Sequence, residues 1–361
     1  MKKSRLFILT LLVMLMLSAQ SAWADTAYVK LTAPDESVSW IEIQGTIDGT
    51  DFEVFNNYDA AIDPYSTEGI NDLNEVWSDP DGKGTHYQVT SIGDWAFDDC
   101  WCLSEVLIPS SVTSIGSSAF RSCSRLTSVT LPDGLTSIGE SAFSGCDELT
   151  SIIIPSSVTT IGGAAFASCD NLTSLAVASD NLVYDFRDNC NAIIETAANK
   201  LMVGCKNSTI PAGVTAIGKY AFSSCGLTSI TIPEGVNTIE ESAFSGSGLT
   251  SITIPEGVTT LGLYAFLGCQ DLTSVTIPSS VSSTGMATFY QCPKLSSVTI
   301  SEGVTSIGYG SFIYCTSLTS ITIPSSVTSI DMEAFGGCGL TSITIPSSVT
   351  NIGMGAFESC I

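Results

Sequence analysis

The side chains best equipped for chemistry in this chain are its 13 cysteines, and their spacing decides what they can do. Ten recur at one place in a repeating phrase: Cys100, Cys123, Cys146, Cys169, Cys225, Cys269, Cys292, Cys315, Cys338 and Cys360, with Ser247 substituting once. A thiol that returns at one inward place per coil builds a ladder, where free Cys behaves as a small buried hydrophobe. Rungs one strand spacing apart, about 5 Å, are close enough to bridge, but their Cβ vectors run parallel where a disulfide needs them to converge. The ladder is therefore expected as thiols, despite the oxidising surroundings of an exported chain. Cys190 and Cys205 lie off the ladder. A hairpin closing through Ala197 and Ala198 sets Thr196 against Asn199 and, in the same register, Cys190 against Cys205, so a disulfide is expected there.

Other chemistry finds little support. The chain has a single histidine, His86, so Cys100-x-Cys102 lacks the partners of a metal site, and no metal or cofactor is expected. Paired acids such as Glu240-Glu241 fall at turns, and the abundant serines have no base beside them. No phosphate-cradling glycine loop or HExxH pattern occurs. Asp79-Pro80-Asp81-Gly82-Lys83-Gly84 has the composition of a calcium loop without its later acid, and reads as a solvated turn. An enzyme is not expected.

The elements that position these residues are set by the phrase itself. It is cleanest at Leu126–Glu148, LTSVTLPDGLTSIGESAFSGCDE, and its phenylalanines, Phe97 to Phe357, are spaced by 22 or 23 residues except for one gap of 56. A fixed period of this length means a solenoid of stacked coils, here about eleven. Numbered from its first Leu, the phrase is apolar at Leu126, Val129, Leu131, Leu135, Ile138, Ala142, Phe143 and Cys146, and these are expected to point inward. Alternation at positions 3 to 6 predicts a short strand over positions 2 to 6, parallel to its neighbour in the next coil. Pro132 ends it, since proline offers no N–H. A second extended piece, Leu135-Thr136-Ser137-Ile138, stops at Gly139, and xxAFxxC is too short for more than one helical turn.

Residues 1–24 read as a secretion signal: Lys2, Lys3 and Arg5, an apolar run from Leu6 to Leu17, then Ala22-Trp23-Ala24 as the cleavage box. No other run is long enough to span a membrane. Removing the signal takes three of the 12 bases and none of the 36 acids, leaving 9 − 36 = −27. A phosphate backbone wants the Lys and Arg that this surface lacks, so nucleic acid is excluded as a partner. Residues 25–100 hold 17 of the acids against two bases, which serves solubility or, alternatively, a cationic or calcium-bridged partner. Residues 25–86 do not repeat and contain a hairpin signal at Asp48-Gly49; they are expected to cap the open end of the stack, with a separate binding domain as the alternative. The repeats then run over 87–361, with a hairpin insertion at about 180–204 in the fourth full coil. The sequence stops at a coil boundary, so a fragment of something longer is expected, with an end covered by dimerisation or by a frayed last coil as the alternatives.

What remains is surface. Positions 3 and 5 form two parallel rows of outward residues: Ser128 and Thr130, Ser229 and Thr231, Ser251 and Thr253, Ser274 and Thr276, Ser297 and Thr299, Ser320 and Thr322, Ser342 and Thr344. Glu105 with Leu107, and Ser151 with Ile153, depart from the pattern. Such rows are either strand-compatible outward residues and nothing more, or a hydroxyl-lined sheet that binds another macromolecule, with Leu107 and Ile153 as apolar contacts.

The phrase LxxVxLPxGLTSIGxxAFxxC resembles the BspA-like, treponemal-type class of bacterial leucine-rich repeats, over roughly residues 87–361. The insertion, Asn189-Cys190-Asn191-Ala192-Ile193-Ile194-Glu195-Thr196 followed by Val203-Gly204-Cys205-Lys206-Asn207, is similar to a segment found in members from gut and oral anaerobes. The resemblance implies a curved, right-handed leucine-rich-repeat superhelix at the cell surface. It also implies, for some members, adhesion to host matrix proteins or other cells; it supplies no ligand-contacting motif. The expected function is a secreted or surface-displayed protein binding other proteins, with a carbohydrate-binding or purely structural module as the alternative and an ice-binding array as a third.

Overall fold

The computed structural model describes residues 25–32, 38–48, 51–55, 69–78 and 84–360. The secretion signal and most of the Asp79–Gly84 loop lie outside the described residues.

The coils are tied to their neighbours by up to three ladders of backbone hydrogen bonds. The first is the predicted strand: Ser151–Ile154 pairs in parallel with Ser174–Val177, like residue against like. Ser251–Thr253, Ser274–Ile277 and Ser297–Ile300 do the same. The second extended piece forms its own parallel ladder, with Ser114–Ile115, Ser137–Ile138 and Thr160–Ile161 in register. The third lies in xxAFxxC, which makes a run of tight turns. Phe97, Phe120 and Phe143 donate their N–H to Ala119, Ala142 and Ala165 of the following coil at 2.7–2.8 Å. Thr113 and Gly116 instead donate backward, to Thr90 and Ile92. The stack is thus fastened in both directions, and much of the backbone of each coil is satisfied by its neighbours.

Inside the stack the phenylalanine rings lie nearly parallel. Phe97, Phe120, Phe143 and Phe166 are separated by 5.0–5.4 Å between centroids. Phe222 through Phe357 continue at 5.2–5.5 Å. Offset stacking and burial stabilise each ring by more than its area alone. Most inward positions are buried as expected. Position 4 is only half-buried at Val129, Ile230, Val298, Ile321 and Ile343, and the last coil opens further, with Ile345 and Val349 half-buried and Ile352 exposed. Gly139 has ordinary backbone angles; it is small because a Cβ there would collide with the Gly116–Ser117 backbone of the coil before.

The amino-terminal strands bridge the end of the stack. β1 (Asp25–Thr32), β2 (Val38–Asp48) and β3 (Asp51–Phe55) form an antiparallel meander, with Asp48 opposite Asp51 across the hairpin turn. β4 (Gly69–Trp77) returns beside β1. β3 pairs in parallel with β5 (His86–Ile92), the start of the second ladder, and β4 pairs in parallel with β6 (Leu103–Leu107), the start of the first. One meander therefore joins both ladders into a single sheet.

The insertion is built into the stack rather than projecting from an edge. Ile193–Glu195 pairs antiparallel with Lys200–Val203, and Lys200-Leu201 then takes the second-ladder place beside Ala216-Ile217. Ile193, Ile194 and Leu201 are wholly buried. The phenylalanine column is interrupted here, and the core divides into two clusters that share only the half-buried Phe186 and meet around residues 190–205. A Cβ on Gly204 would fall on the Phe222 ring, so glycine is needed where the chain crosses that face.

Candidate functional site

The cysteine ladder is a structural device with its own logic. Cys123 Sγ donates to the Phe97 carbonyl at 3.2 Å, and Cys146, Cys169, Cys269, Cys292, Cys315, Cys338 and Cys360 repeat the contact with Phe120, Phe143, Phe244, Phe266, Phe289, Phe312 and Phe335 at 3.0–3.2 Å. Each thiol fills a small apolar site and gives a second donor to a carbonyl of the coil before. Burial pushes the thiols of Cys100, Cys169, Cys225 and Cys338 up to about 12, so they are neutral and unreactive at neutral pH. Ser247, buried in the same place, lies 3.4 Å from Cys269 Sγ.

The expected bridge between Cys190 and Cys205 is absent; both are free thiols. A bulge between Ile193 and Ile194 shifts the hairpin register by one residue, so the pairing that opposes them does not extend to their positions. Cys190 Sγ donates to the Ala192 carbonyl at 3.5 Å, while Cys205 Sγ accepts from Asn191 Nδ2 at 3.2 Å. Burial raises both thiol pKa values.

The acids that could suggest catalysis are engaged otherwise. Glu241 pairs with Lys219 at 3.0 Å, and Glu240 lies 3.9 Å from Lys200 and accepts the Lys219 backbone N–H. The Arg187 guanidinium grips both carboxylate oxygens of Asp185, which holds that carboxyl below its usual range. Among the described residues no group of three metal-ligating side chains could hold an ion.

The hydroxyls of the repeat sort into two classes. At positions 2 and 11 they point along the stack: Thr136 Oγ1 donates to the Thr113 carbonyl at 2.9 Å, Thr273 Oγ1 to Thr250 at 2.9 Å and Thr305 Oγ1 to Ser282 at 3.0 Å. The rows at positions 3 and 5 differ. Ser128, Thr130, Ser151, Ser229, Thr231, Ser251, Thr253, Thr276, Ser297, Thr299, Ser320, Thr322, Ser342 and Thr344 are exposed, and Ser274 and Glu105 are half-buried. Leu107 and Ile153 stand among them at 40% and 65% exposure.

These rows do not form one unbroken sheet. Glu105 and Leu107 lie on β6, Ser128 begins the short strand beside it, and Ser151 and Ile153 begin a separate pair of strands. Ser251 through Thr299 lie in a three-stranded sheet. Ser229, Thr231, Ser320, Thr322, Ser342 and Thr344 fall outside any strand. The coils from Leu227, Leu249 and Leu340 each follow a shortened link, Cys225-Gly226, Ser247-Gly248 and Cys338-Gly339, where most coils have two residues before the Leu. None of these three pairs its first strand with the coil before it. Losing one residue just before the strand displaces it from the register that pairing needs. The breaks before Ser151 and Ser320 carry no such mark.

The period, the paired ladders and the stacked interior together define a leucine-rich-repeat solenoid. The family model for the BspA type leucine rich repeat region matches in six copies, over residues 90–192, 192–315 and 237–361. The chain belongs to that family. Among solved structures, this BspA-type protein is similar to a leucine-rich repeat protein from Eubacterium ventriosum ATCC 27560, at 24% identity and a TM-score of 0.70, covering 92% of this chain and 95% of that one. A leucine-rich repeat protein from Bacteroides ovatus ATCC 8483 is 28% identical, covering 89% and 91%, with a TM-score of 0.48. A leucine rich cell surface protein from Faecalibacterium prausnitzii A2-165 is 25% identical, covering 88% and 90%, with a TM-score of 0.47. None of the curated proteins matches the BspA-type chain. Among its described residues no helix is long and apolar enough to cross a membrane. The family is one of leucine-rich repeats, and an extended solenoid of this kind suits the binding of other proteins.

Proposed function

We propose that this protein is exported through the signal at residues 1–24, cleaved after Ala24, and works outside the cell by binding protein ligands in adhesion to host matrix or to a neighbouring cell. The observation that carries this reading is the pair of exposed hydroxyl rows, flanked by Leu107 and Ile153. Hydroxyls at positions 2 and 11 are consumed in holding the coils together, whereas those at 3 and 5 face solvent and offer donors and acceptors at a fixed repeat. A rigid array needs little ordering on binding, so a modest contact per coil sums over the stack. Residues 25–86 serve as a cap, because β3 and β4 occupy the edges that both ladders would otherwise expose.

The test is binding of the full chain to a panel of matrix proteins beside a glycan array. Thr253→Gln and Thr276→Gln together place bulk on the central sheet without adding charge. A saturable matrix-protein interaction weakened about tenfold by this pair is the expected result. Glycan hits without protein hits would reverse the reading in favour of a carbohydrate-binding surface.

A further inference from the structure

A second surface lies on the turn edge of the stack, where xxAFxxC faces outward. In the coils before the insertion most of the outward places there are small or polar, Ser117 and Ser122 in one coil and Ser141, Ser144 and Gly145 in the next, with the exposed Trp95 of the first coil as the exception. Tyr220 stands at one of these places just after the insertion, and from Leu249 onward they carry Tyr264, Met286, Tyr290, Tyr309 and Tyr314, with the buried Ile313 beside them. Tyr264 is 37% exposed, Met286 51% and Tyr314 51%. The four tyrosines, with Ile313 and Glu333, line an open groove of about 550 Å³. A smaller groove shares Tyr314 and Glu333 and adds Glu358.

Backbone geometry makes these tyrosines costly. Tyr264 has φ 58° and Tyr314 φ 59°, in the left-handed region where the equivalent places hold Ser141, Gly246 and Gly268 in some coils and Trp95, Asp99, Tyr220 and Gln291 in others. A bulky residue there is strained by on the order of 1 kcal/mol relative to glycine. Burial does not offset that strain at Tyr314, whose ring is half in water. About half of Tyr314 therefore stays open to solvent beside the groove, available to something outside the chain.

Geometry and charge select the occupant. Tyr290 and Tyr314 meet edge to face, 5.9 Å between centroids at 74°, so rings present themselves from two directions rather than as a flat platform. Two directions suit a compact cation held among π-faces better than a sugar stacked on one. Glu333 and Glu358 supply negative charge in the two grooves, neither of which is lined by Lys or Arg, on a chain of formal charge −24. The same chemistry occurs within the chain itself, where the Arg125 guanidinium lies 6.0 Å from the Trp101 ring centroid.

We propose that Tyr264, Tyr290, Tyr309 and Tyr314, together with Glu333, form a second docking site that takes an arginine- or lysine-bearing segment of a protein partner. This rests on the protein-binding reading but uses a different face from the hydroxyl rows. The experiment titrates a fluorescent acetyl-(Gly-Arg)4-amide peptide into the full chain at physiological ionic strength, beside chitohexaose as a glycan probe. The expected result is saturable peptide binding, weakened roughly tenfold by Tyr290→Ala with Tyr314→Ala and about threefold by Glu333→Gln. Tyr314→Phe keeps the π-face and is expected to bind like the wild type. An unchanged thermal midpoint in Tyr290→Ala with Tyr314→Ala separates lost binding from lost fold. Peptide binding equal in wild type and the tyrosine variant, no saturable peptide binding, or tyrosine-dependent chitohexaose binding in its place would each overturn the proposal. The Thr253→Gln and Thr276→Gln variant is expected to leave peptide affinity unchanged, so failure of the hydroxyl-row reading and failure of this one give different results.

Discussion

The coils before the insertion and those after it share an interior and differ in what they show to solvent. Phenylalanine spacing is 5.0–5.4 Å in the first group and 5.2–5.5 Å in the second, and the thiol-to-carbonyl contact recurs in both. On the turn edge, however, the first group carries mostly serines and glycine with a bidentate Asp98–Arg121 pair and a single exposed tryptophan, Trp95, whereas the second carries a tyrosine-lined groove. Stacking demands identity at inward positions because each ring and thiol must meet its copy one coil away. It demands nothing of outward side chains beyond a tolerable backbone angle. Variation therefore accumulates at the outward places.

The comparison can be broken most severely by alkali. Folded thiols on both sides of the insertion, Cys100 and Cys169 before it and Cys225 and Cys338 after it, hold their protons to about 12 because burial disfavours the thiolate, whereas the ordinary value is 9.0. The stabilisation is present in full below pH 9 and is lost as pH rises toward 12, since only the unfolded chain can ionise in that window. Each such thiol contributes on the order of 1 kcal/mol per pH unit. Circular dichroism is expected to show both groups of coils unfolding together between these limits; a fold that persists unchanged to pH 12 would mean that the thiols are not buried.

Ring deletion is the next largest effect. Phe143→Ala and Phe266→Ala, one in each group, remove wholly buried rings and are each expected to cost about 3–5 kcal/mol in chemical denaturation. A marked inequality would show that the two groups do not share one kind of interior. The junction between them is probed by Gly204→Ala, expected to cost about 1–3 kcal/mol because the new methyl meets the Phe222 ring. A neutral outcome would mean that the two cores are only loosely joined there.

Much of this is legible in the amino-acid order. Spacing alone assigns Leu135, Ile138, Phe143 and Cys146 to the interior and places two extended pieces in each coil, because a residue that recurs once per period must face its own copy. Other features carry no periodic signal. That Ser128 faces solvent follows from alternation, but that Thr136 spends its hydroxyl on the Thr113 carbonyl depends on side-chain geometry. The left-handed Ser141 and Tyr264 are invisible in the sequence, since neither residue type announces that angle. The hairpin register fails at a bulge, which adds one residue without a sequence mark. The tyrosine groove does have a signal: aromatic residues in consecutive coils at places held mostly by Ser, Ala or Gly elsewhere. Comparing the coils position by position along the turn edge, and not only along the strand face, reveals it.

The central claim is that the stack has the same closed, apolar kind of interior on both sides of the insertion and keeps its thiols reduced. Thiol titration with a chromogenic disulfide reagent, on native protein and again after denaturation without reductant, tests this directly. The structure predicts that of 13 cysteines only the half-buried Cys360 reacts readily in the native state, and that all 13 react once the chain is unfolded. Rapid reaction of many thiols in the native protein, or a shortfall after unfolding that reveals disulfides, would contradict it.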